Sequence, residues 1–292
     1  MTNPISNPTS NLAKLTEFAQ FLTEADGLLI TAGAGMGIDS GLPDFRGEQG
    51  FWKAYPPLRH LGKQFVEMAN PTLFKTDPKL AWGFYGLRLN SYRQTEPHAG
   101  FGLLKRWADK LPNNAFIFTS NVDGQFQKAG FSEQQIMECH GSIHYLQCGH
   151  NCHQGIWSAD GYTPVVDEAY CQLVNDVPTC PQCGAIARPN ILMFGDWDWQ
   201  EARTAAQETA LMTWLSKVNR LAIIEMGAGM AIPSVRHLGE RLVRTRGKHT
   251  KLLRINPNES QVPNTGKDNH YYGVNMGALE ALQQLDGLLQ DS

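Results

Sequence analysis

The apolar run Leu28-Leu29-Ile30-Thr31, followed by Gly33-Ala34-Gly35-Met36-Gly37, is the strongest constraint on how this chain folds. Successive apolar and β-branched residues without alternation read as a strand buried on both faces. The glycines after it make a turn whose backbone amides can approach a pyrophosphate. A dinucleotide-binding unit ordinarily continues into a long helix. Here Ser40-Gly41-Leu42-Pro43 halts any helix within about two turns, and Asp44-Phe45-Arg46 follows. The residues alone leave open why a phosphate cradle should be followed at once by a loop carrying an acid, an aromatic and a guanidinium.

The rest of the chain repeats the strand–helix alternation. Short apolar runs at 115–119, 221–225 and 252–255 each lie beside a helix-like segment such as 201–218 or 279–289. Leu12, Leu15, Phe18, Phe21 and Leu22 recur at helical spacing over 12–22. Alternation of this kind predicts an α/β chain, a Rossmann-like doubly wound parallel sheet covered on both faces. With 292 residues, more than one domain or a large insertion is expected. The Rossmann-like part is assigned to 12–47, 101–147 and 185–292. An aromatic-rich and Pro-rich helical insertion is placed at 48–100, with one helix around 78–94. A small zinc-binding module is placed at 148–184, and residues 1–11 are read as a flexible tail.

Net charge is −3 and the pI about 6.3, so no broad attraction to nucleic acid or to an anionic membrane is expected. No apolar run is long enough to span a bilayer. The N-terminus, MTNPISNPTSN, has neither the basic nor the apolar region of a signal peptide. A cytoplasmic chain is expected, in which cysteines are thiols or metal ligands and not disulfides. Five of the six cysteines fall in 148–184. Cys148-Gly-His-Asn-Cys152 and Cys180-Pro-Gln-Cys183 are two close pairs, able to deliver four thiolates tetrahedrally to one zinc ion. Four sulfurs close the coordination shell, so the ion is read as structural. Cys171 is left over, and His150 and His153 are alternative ligands.

Polar motifs follow the strand-like runs. Thr119-Ser120-Asn121-Val122-Asp123-Gly124 falls at the carboxyl end of a strand, where open α/β sheets bind ligands. Taken alone it is more often a cap and turn. His140, in Glu138-Cys139-His140-Gly141, has the near-neutral pKa of a general base, though a lone histidine is more often structural.

The order GAGMGIDSGLPDFRG, TSNVDG, CHGS, two cysteine pairs and PNILMFGD resembles the sirtuin family of NAD-dependent protein deacylases, over about residues 12–285. That resemblance implies that Gly33, Ala34 and Gly35 hold the NAD phosphates and that the Asp44-Phe45-Arg46 loop folds over the ribose and nicotinamide. It thereby answers the opening puzzle, since such a chemistry ejects nicotinamide and does not conserve it. It implies further that Ser120, Asn121 and Asp123 lie near the nicotinamide ribose and that Gly227, Ala228 and Asn256 serve the adenosine half. His140 becomes the base that takes a ribose hydroxyl proton as an acyl group migrates from lysine to the sugar. Phe194 and Gly195 belong to a strip that pairs with an acyl-lysine protein or peptide as an added strand. Nicotinamide and O-acyl-ADP-ribose are the implied products.

Tyr85 and Arg88, three apart on an expected helix, can converge on one object. An arginine fork with a phenol suits a carboxylate, and in this family such a pair marks preference for succinyl or malonyl groups over acetyl. The packing alternative is an inward tyrosine and a snorkelling arginine. Departures from the family pattern are Gly37 in place of serine, Ser120 in place of glutamine, Gly227-Ala228-Gly229 in place of Gly-Thr-Ser, and Asp196 followed by Trp197 and Trp199. Those tryptophans are expected to reshape the peptide groove. ADP-ribosyl transfer or NAD hydrolysis on the same fold is the alternative activity, and a non-catalytic binder is a third. The sequence leaves the oligomeric state open.

Overall fold

The computed structural model describes residues 8–43, 47–60, 62–153, 155–264 and 270–290. Its strands are β1 (Gly27–Ala32), β2 (Ala115–Thr119), β3 (Ile136–Glu138), β4 (Gly141–Cys148), β5 (Ile156–Ser158), β6 (Val166–Asp167), β7 (Gln172–Leu173), β8 (Ala187–Ile191), β9 (Leu221–Met226), β10 (Thr250–Ile255) and β11 (Tyr271–Val274). Six of them make one parallel sheet in the order β11-β10-β9-β1-β2-β3. Chain direction across the sheet reverses between β1 and β9, and ligands of open α/β sheets bind at the carboxyl ends beside such a switch point.

The unbroken apolar character of the central strands has a direct structural cause. Successive side chains point to opposite faces. Leu28 and Ile30 enter a core with Phe18, Phe101 and Leu282, under the helices Pro8–Thr23, Ala99–Ala108 and Ala278–Gln290. Leu29 turns the other way, to Phe116, Leu211 and Leu238, under the helices Ala202–Leu215 and Ser234–Arg246. Both faces are covered, so neither can be polar. The first helix begins at Pro8, inside the stretch expected to be tail. Among the described residues, no helix is long and apolar enough to cross a membrane.

The two interruptions of the alternation share a single second core. Phe51, Leu58, Phe74, Trp82, Phe84 and Tyr85 from the helical insertion pack with Cys171 and Leu173 from the cysteine-bearing region and with Ile143 and Leu146 of β4. β4 and β8 stand outside the large sheet and pair antiparallel with each other, with β5 on the far side of β4. The helix Pro78–Gln94 is the spine of this lobe. Asp77 Oδ1 caps it by accepting from Leu80 N at 3.0 Å, and Pro78 sits where its missing N–H costs nothing. Its Gly83 lets the chain at Cys171–Gln172 lie directly on the helix backbone, since a Cβ there would come within 1.9 Å of the Cys171 carbonyl oxygen. Asn90 donates to Pro164 O, and Arg93 donates to Tyr162 O and Ala159 O, tying the helix to the same segment.

Candidate functional site

Two glycine turns meet at the switch point. Gly33 N donates to Met226 O and Gly35 N donates to Gly227 O, at 2.9 and 3.1 Å. A Cβ on Gly35 would stand 2.6 Å from Gly227 Cα, and one on Gly227 2.4 Å from Gly35 Cα, so neither position has room for a side chain. Gly227 also has φ +60°, the left-handed region that favours glycine. Ala34 opens a single short 3-10 helix, Ala34–Ser40, which ends at Gly41 as the sequence punctuation requires. His98 braces it, with Nε2 3.0 Å from Met36 O, while Nδ1 accepts from Gly100 N at 3.0 Å. On the far side of Gly227, Asn256 Nδ2 donates to Ala228 O at 3.1 Å. Asp44, Phe45 and Arg46 lie outside the described residues.

The loop after β2 joins the same rim. Ser120 N donates to Ala32 O, and Asn121 Nδ2 donates to Gly33 O at 3.1 Å. Asp123 Oδ1 accepts from Gln125 N at 3.0 Å. Burial pushes the Asp123 carboxyl up to about 6, helped by Glu138 and opposed by that amide and by the Arg88 charge. His140 follows β3 and hydrogen-bonds the Ser120 backbone; burial lowers its pKa below the ordinary imidazole value. Its Nε2 is 3.5 Å from Ser234 Oγ. The neighbouring Cys139 thiol is pushed up to about 12 by burial, so it stays protonated. The structure thus brings Gly33, Ala34, Gly35, Ser120, Asn121, Asp123, His140, Gly227, Ala228 and Asn256 to one edge of the large sheet.

Around His140 the surface is apolar on two sides. Leu192 N donates to His140 O at 2.9 Å, and the exposed Leu192 and Phe194 follow β8 on that side. Met230 and Ile232, also exposed, precede Ser234 on the other. The strip 193–197 is pinned from beneath: Arg188 Nη1 and Nη2 donate to the two Asp196 oxygens, each at 2.8 Å, with both side chains buried. Breaking such a pair costs about 3–5 kcal/mol. Gly195 turns at φ +65° within this strip. Of the two tryptophans, Trp197 is 96 % exposed, whereas Trp199 is half-buried.

Tyr85 and Arg88 lie on one buried side of their helix. Arg88 donates through Nε and Nη2 to Tyr92 Oη at 3.1 and 3.0 Å. Its guanidinium lies 5.3 Å from the Phe84 ring centroid and 5.7 Å from that of Tyr85. The Tyr85 hydroxyl is buried with no hydrogen-bond partner among the described residues. Burial pushes it up to about 12, so it remains a donor.

Cys148, Cys152, Cys180 and Cys183 bring their sulfurs within 4.8 Å of one another, and none is in a disulfide. Cys148–Cys183 and Cys152–Cys180 are each 3.6 Å apart. A tetrahedron with metal–sulfur bonds of about 2.3 Å has edges of about 3.8 Å, so the four thiols could hold one ion. His153 Nδ1 is 3.1 Å from Cys152 Sγ and stacks on Trp157; it orients that sulfur. Cys171 is buried in the second core, away from the group.

Sequence reasoning missed Ser234 and Tyr92. Ser234 follows Pro233 at a helix start, and Tyr92 stands four residues beyond Arg88, so both carried a positional signal. It also missed Arg188, whose partner lies eight residues away across a turn.

The sheet order and its glycine rim define a Rossmann-type nucleotide-binding protein whose second lobe carries a four-thiol site. The model of the Sir2 family matches residues 33–217, and the chain belongs to that enzyme family. An NAD-dependent protein deacetylase of Saccharolobus solfataricus is 30 % identical over 244 residues, covering 83 % of this chain and 85 % of the relative. An NAD-dependent protein deacylase of Pyrococcus furiosus is 31 % identical over 182 residues, covering 62 % of this chain and 66 % of the relative. A crystal structure of a Sir2 homolog–NAD complex matches with a TM-score of 0.70 at 21 % identity, over 94 % of this chain and 93 % of that one. This last likeness is one of fold.

Proposed function

We propose that this chain removes acyl groups from lysine side chains with NAD as the consumed co-substrate and one water, giving the free lysine amine, nicotinamide and O-acyl-ADP-ribose, and that it favours acyl groups ending in a carboxylate. Departure of nicotinamide leaves positive charge on the ribose carbon, which the acyl oxygen attacks. Asp123 is a carboxylate above about pH 6 and supplies opposite charge on the rim where that cation develops. His140, kept neutral by burial, takes the ribose hydroxyl proton; a placed base of this kind contributes on the order of 10²–10⁴ in rate. The four thiolates would hold a structural zinc, which closes the cysteine-bearing loop.

The observation that carries the acyl preference is Tyr85 with Arg88. A cation held in an aromatic cage and an unpartnered buried hydroxyl are two donors set on one side of a helix, and the Arg88 charge acts on Asp123. An orphaned buried hydroxyl costs about 1–3 kcal/mol, which an incoming carboxylate oxygen would offset. The test compares succinyl-lysine and acetyl-lysine peptides with NAD, reading every ribose product by mass. The wild type should favour succinyl at least tenfold in kcat/KM, and Arg88→Met should abolish that preference. An acetyl preference, or an unchanged ratio in the variant, refutes the acyl reading. The exposed Trp197 beside the peptide strip favours a second reading, ADP-ribosyl transfer or NAD hydrolysis. Labelled protein or free ADP-ribose in place of O-acyl-ADP-ribose would establish it.

A further inference from the structure

Behind the His140 rim, on the sheet face covered by Ala202–Leu215 and Ser234–Arg246, the two helices part over β2 and β3. They leave an open cavity of about 620 Å³. Its floor is apolar: Phe118, Met137, Leu211 and Leu238, all buried, with the flexible Met212 at its edge. Methionines adapt to a range of apolar shapes. One wall runs along a single helix from Ser234 to Arg244, ten residues or about 15 Å. An extended acyl chain of about ten to twelve carbons has that length, at about 1.25 Å per carbon.

The polar groups facing the cavity are asymmetric. Arg241 and Arg244 sit toward one end of the helix with His237 a turn earlier. Neither arginine is in an ion pair among the described residues. Of the two acids present, Glu240 accepts from Arg254 Nη2 at 2.9 Å and shares that guanidinium with the buried Glu225. Glu208, on the opposite helix, remains. Arg241 and Arg244 thus face one carboxylate outside any ion pair among the described residues and one that already shares a cation, and guanidinium forks suit carboxylates.

We propose that this cavity binds a medium-chain fatty carboxylate, its chain on the apolar floor and its head group between Arg241 and Arg244. The size and the mixture of apolar floor with a few polar groups are those of small-molecule sites. The cavity is separate from the rim that carries the glycine turns. It shares two wall residues with the base, however, since Cys139 adjoins His140 and Ser234 Oγ stands 3.5 Å from its ring.

Calorimetric titration of the full chain with sodium decanoate, kept below its micelle concentration, tests this, with decyltrimethylammonium as the probe of opposite charge. Decanoate should saturate at one per chain and bind at least tenfold tighter than the cation. Arg241→Ala with Arg244→Ala, both at exposed positions, should weaken decanoate at least tenfold and leave nicotinamide release unchanged. Leu211→Trp, which fills the floor, should abolish binding. Equal affinity for the two head groups, absence of saturable binding, or an arginine double variant that binds decanoate like the wild type would overturn the proposal.

Discussion

Asp123→Asn should stabilise this protein while disabling it, and the gain should depend on pH in a defined way. The carboxyl is pushed up to about 6, chiefly by burial, from an ordinary value of 3.8. Between those values the folded state binds the proton that the unfolded state has already lost. The ionised side chain therefore works against folding as pH rises, with no penalty below 3.8 and the full penalty above 6. That penalty is about 1.4 kcal/mol per unit over about two units, or about 3 kcal/mol at pH 7, and about half of that at pH 5. Asparagine keeps the acceptor that caps Gln125 N, but it introduces an amide that costs about 1 kcal/mol if unpaired, independent of pH. The net gain is about 2 kcal/mol, a rise in Tm of about 4 °C for a chain of this size. Thermal melting of both proteins from pH 5 to pH 8 measures it. A gain that is flat across that range, or larger at pH 5 than at pH 8, refutes the assignment of a strained carboxylate to Asp123. Sites that carry such strain tend to be functional.

Three further outcomes follow from packing and charge. Gly83→Ala, which on an exposed helix would add about 1 kcal/mol of stability, should here cost more than about 3 kcal/mol, because its Cβ meets the Cys171 carbonyl at 1.9 Å; a melting temperature at or above that of the wild type would refute the close approach. Cys152→Ser should lower bound metal, read by elemental mass spectrometry, from one ion per chain to none, whereas Cys171→Ala should keep the ion; the reverse pattern would contradict the thiol assignment. His98 is held below its ordinary pKa by burial, so its contribution is present above about pH 6.5 and lost as pH falls toward the folded-state value. The stability difference between wild type and His98→Gln should accordingly shrink from pH 7.5 to pH 5.5, and a difference that grows on acidification would rule out the neutral clamp on Met36.

What could be read from sequence was local. The strands at 27–32, 115–119 and 221–226 announced themselves because burial on both faces removes every polar alternative. The helix expected around 78–94 is Pro78–Gln94, and the four thiols were legible from their doubled spacing. β3, three residues long, and β11, four, are too short to show a period. The Arg188–Asp196 pair was invisible for another reason, since composition gives no sign of which charges will be buried together. Asp44, Phe45 and Arg46, the residues that first set this chain apart from an ordinary dinucleotide site, are outside the described part, so their role rests on the family resemblance.

The largest departure from a linear reading is that the two insertions form one device. The segment between Cys152 and Cys180 carries β6 and β7 and lays Cys171 and Gln172 on the back of the helix whose other side presents Tyr85 and Arg88. An ion bound by the four thiols would close that segment into a loop, removing much of the freedom it would have as an open chain. Tying its ends would favour the position in which the hairpin packs on the helix, and the helix in turn fixes where the guanidinium stands. On the acyl reading proposed for Tyr85 and Arg88, an ion bound there would set the geometry of acyl recognition while taking no part in the chemistry. Its loss should be felt in discrimination between acyl groups before it is felt in the glycine turns, which are held together by the large sheet.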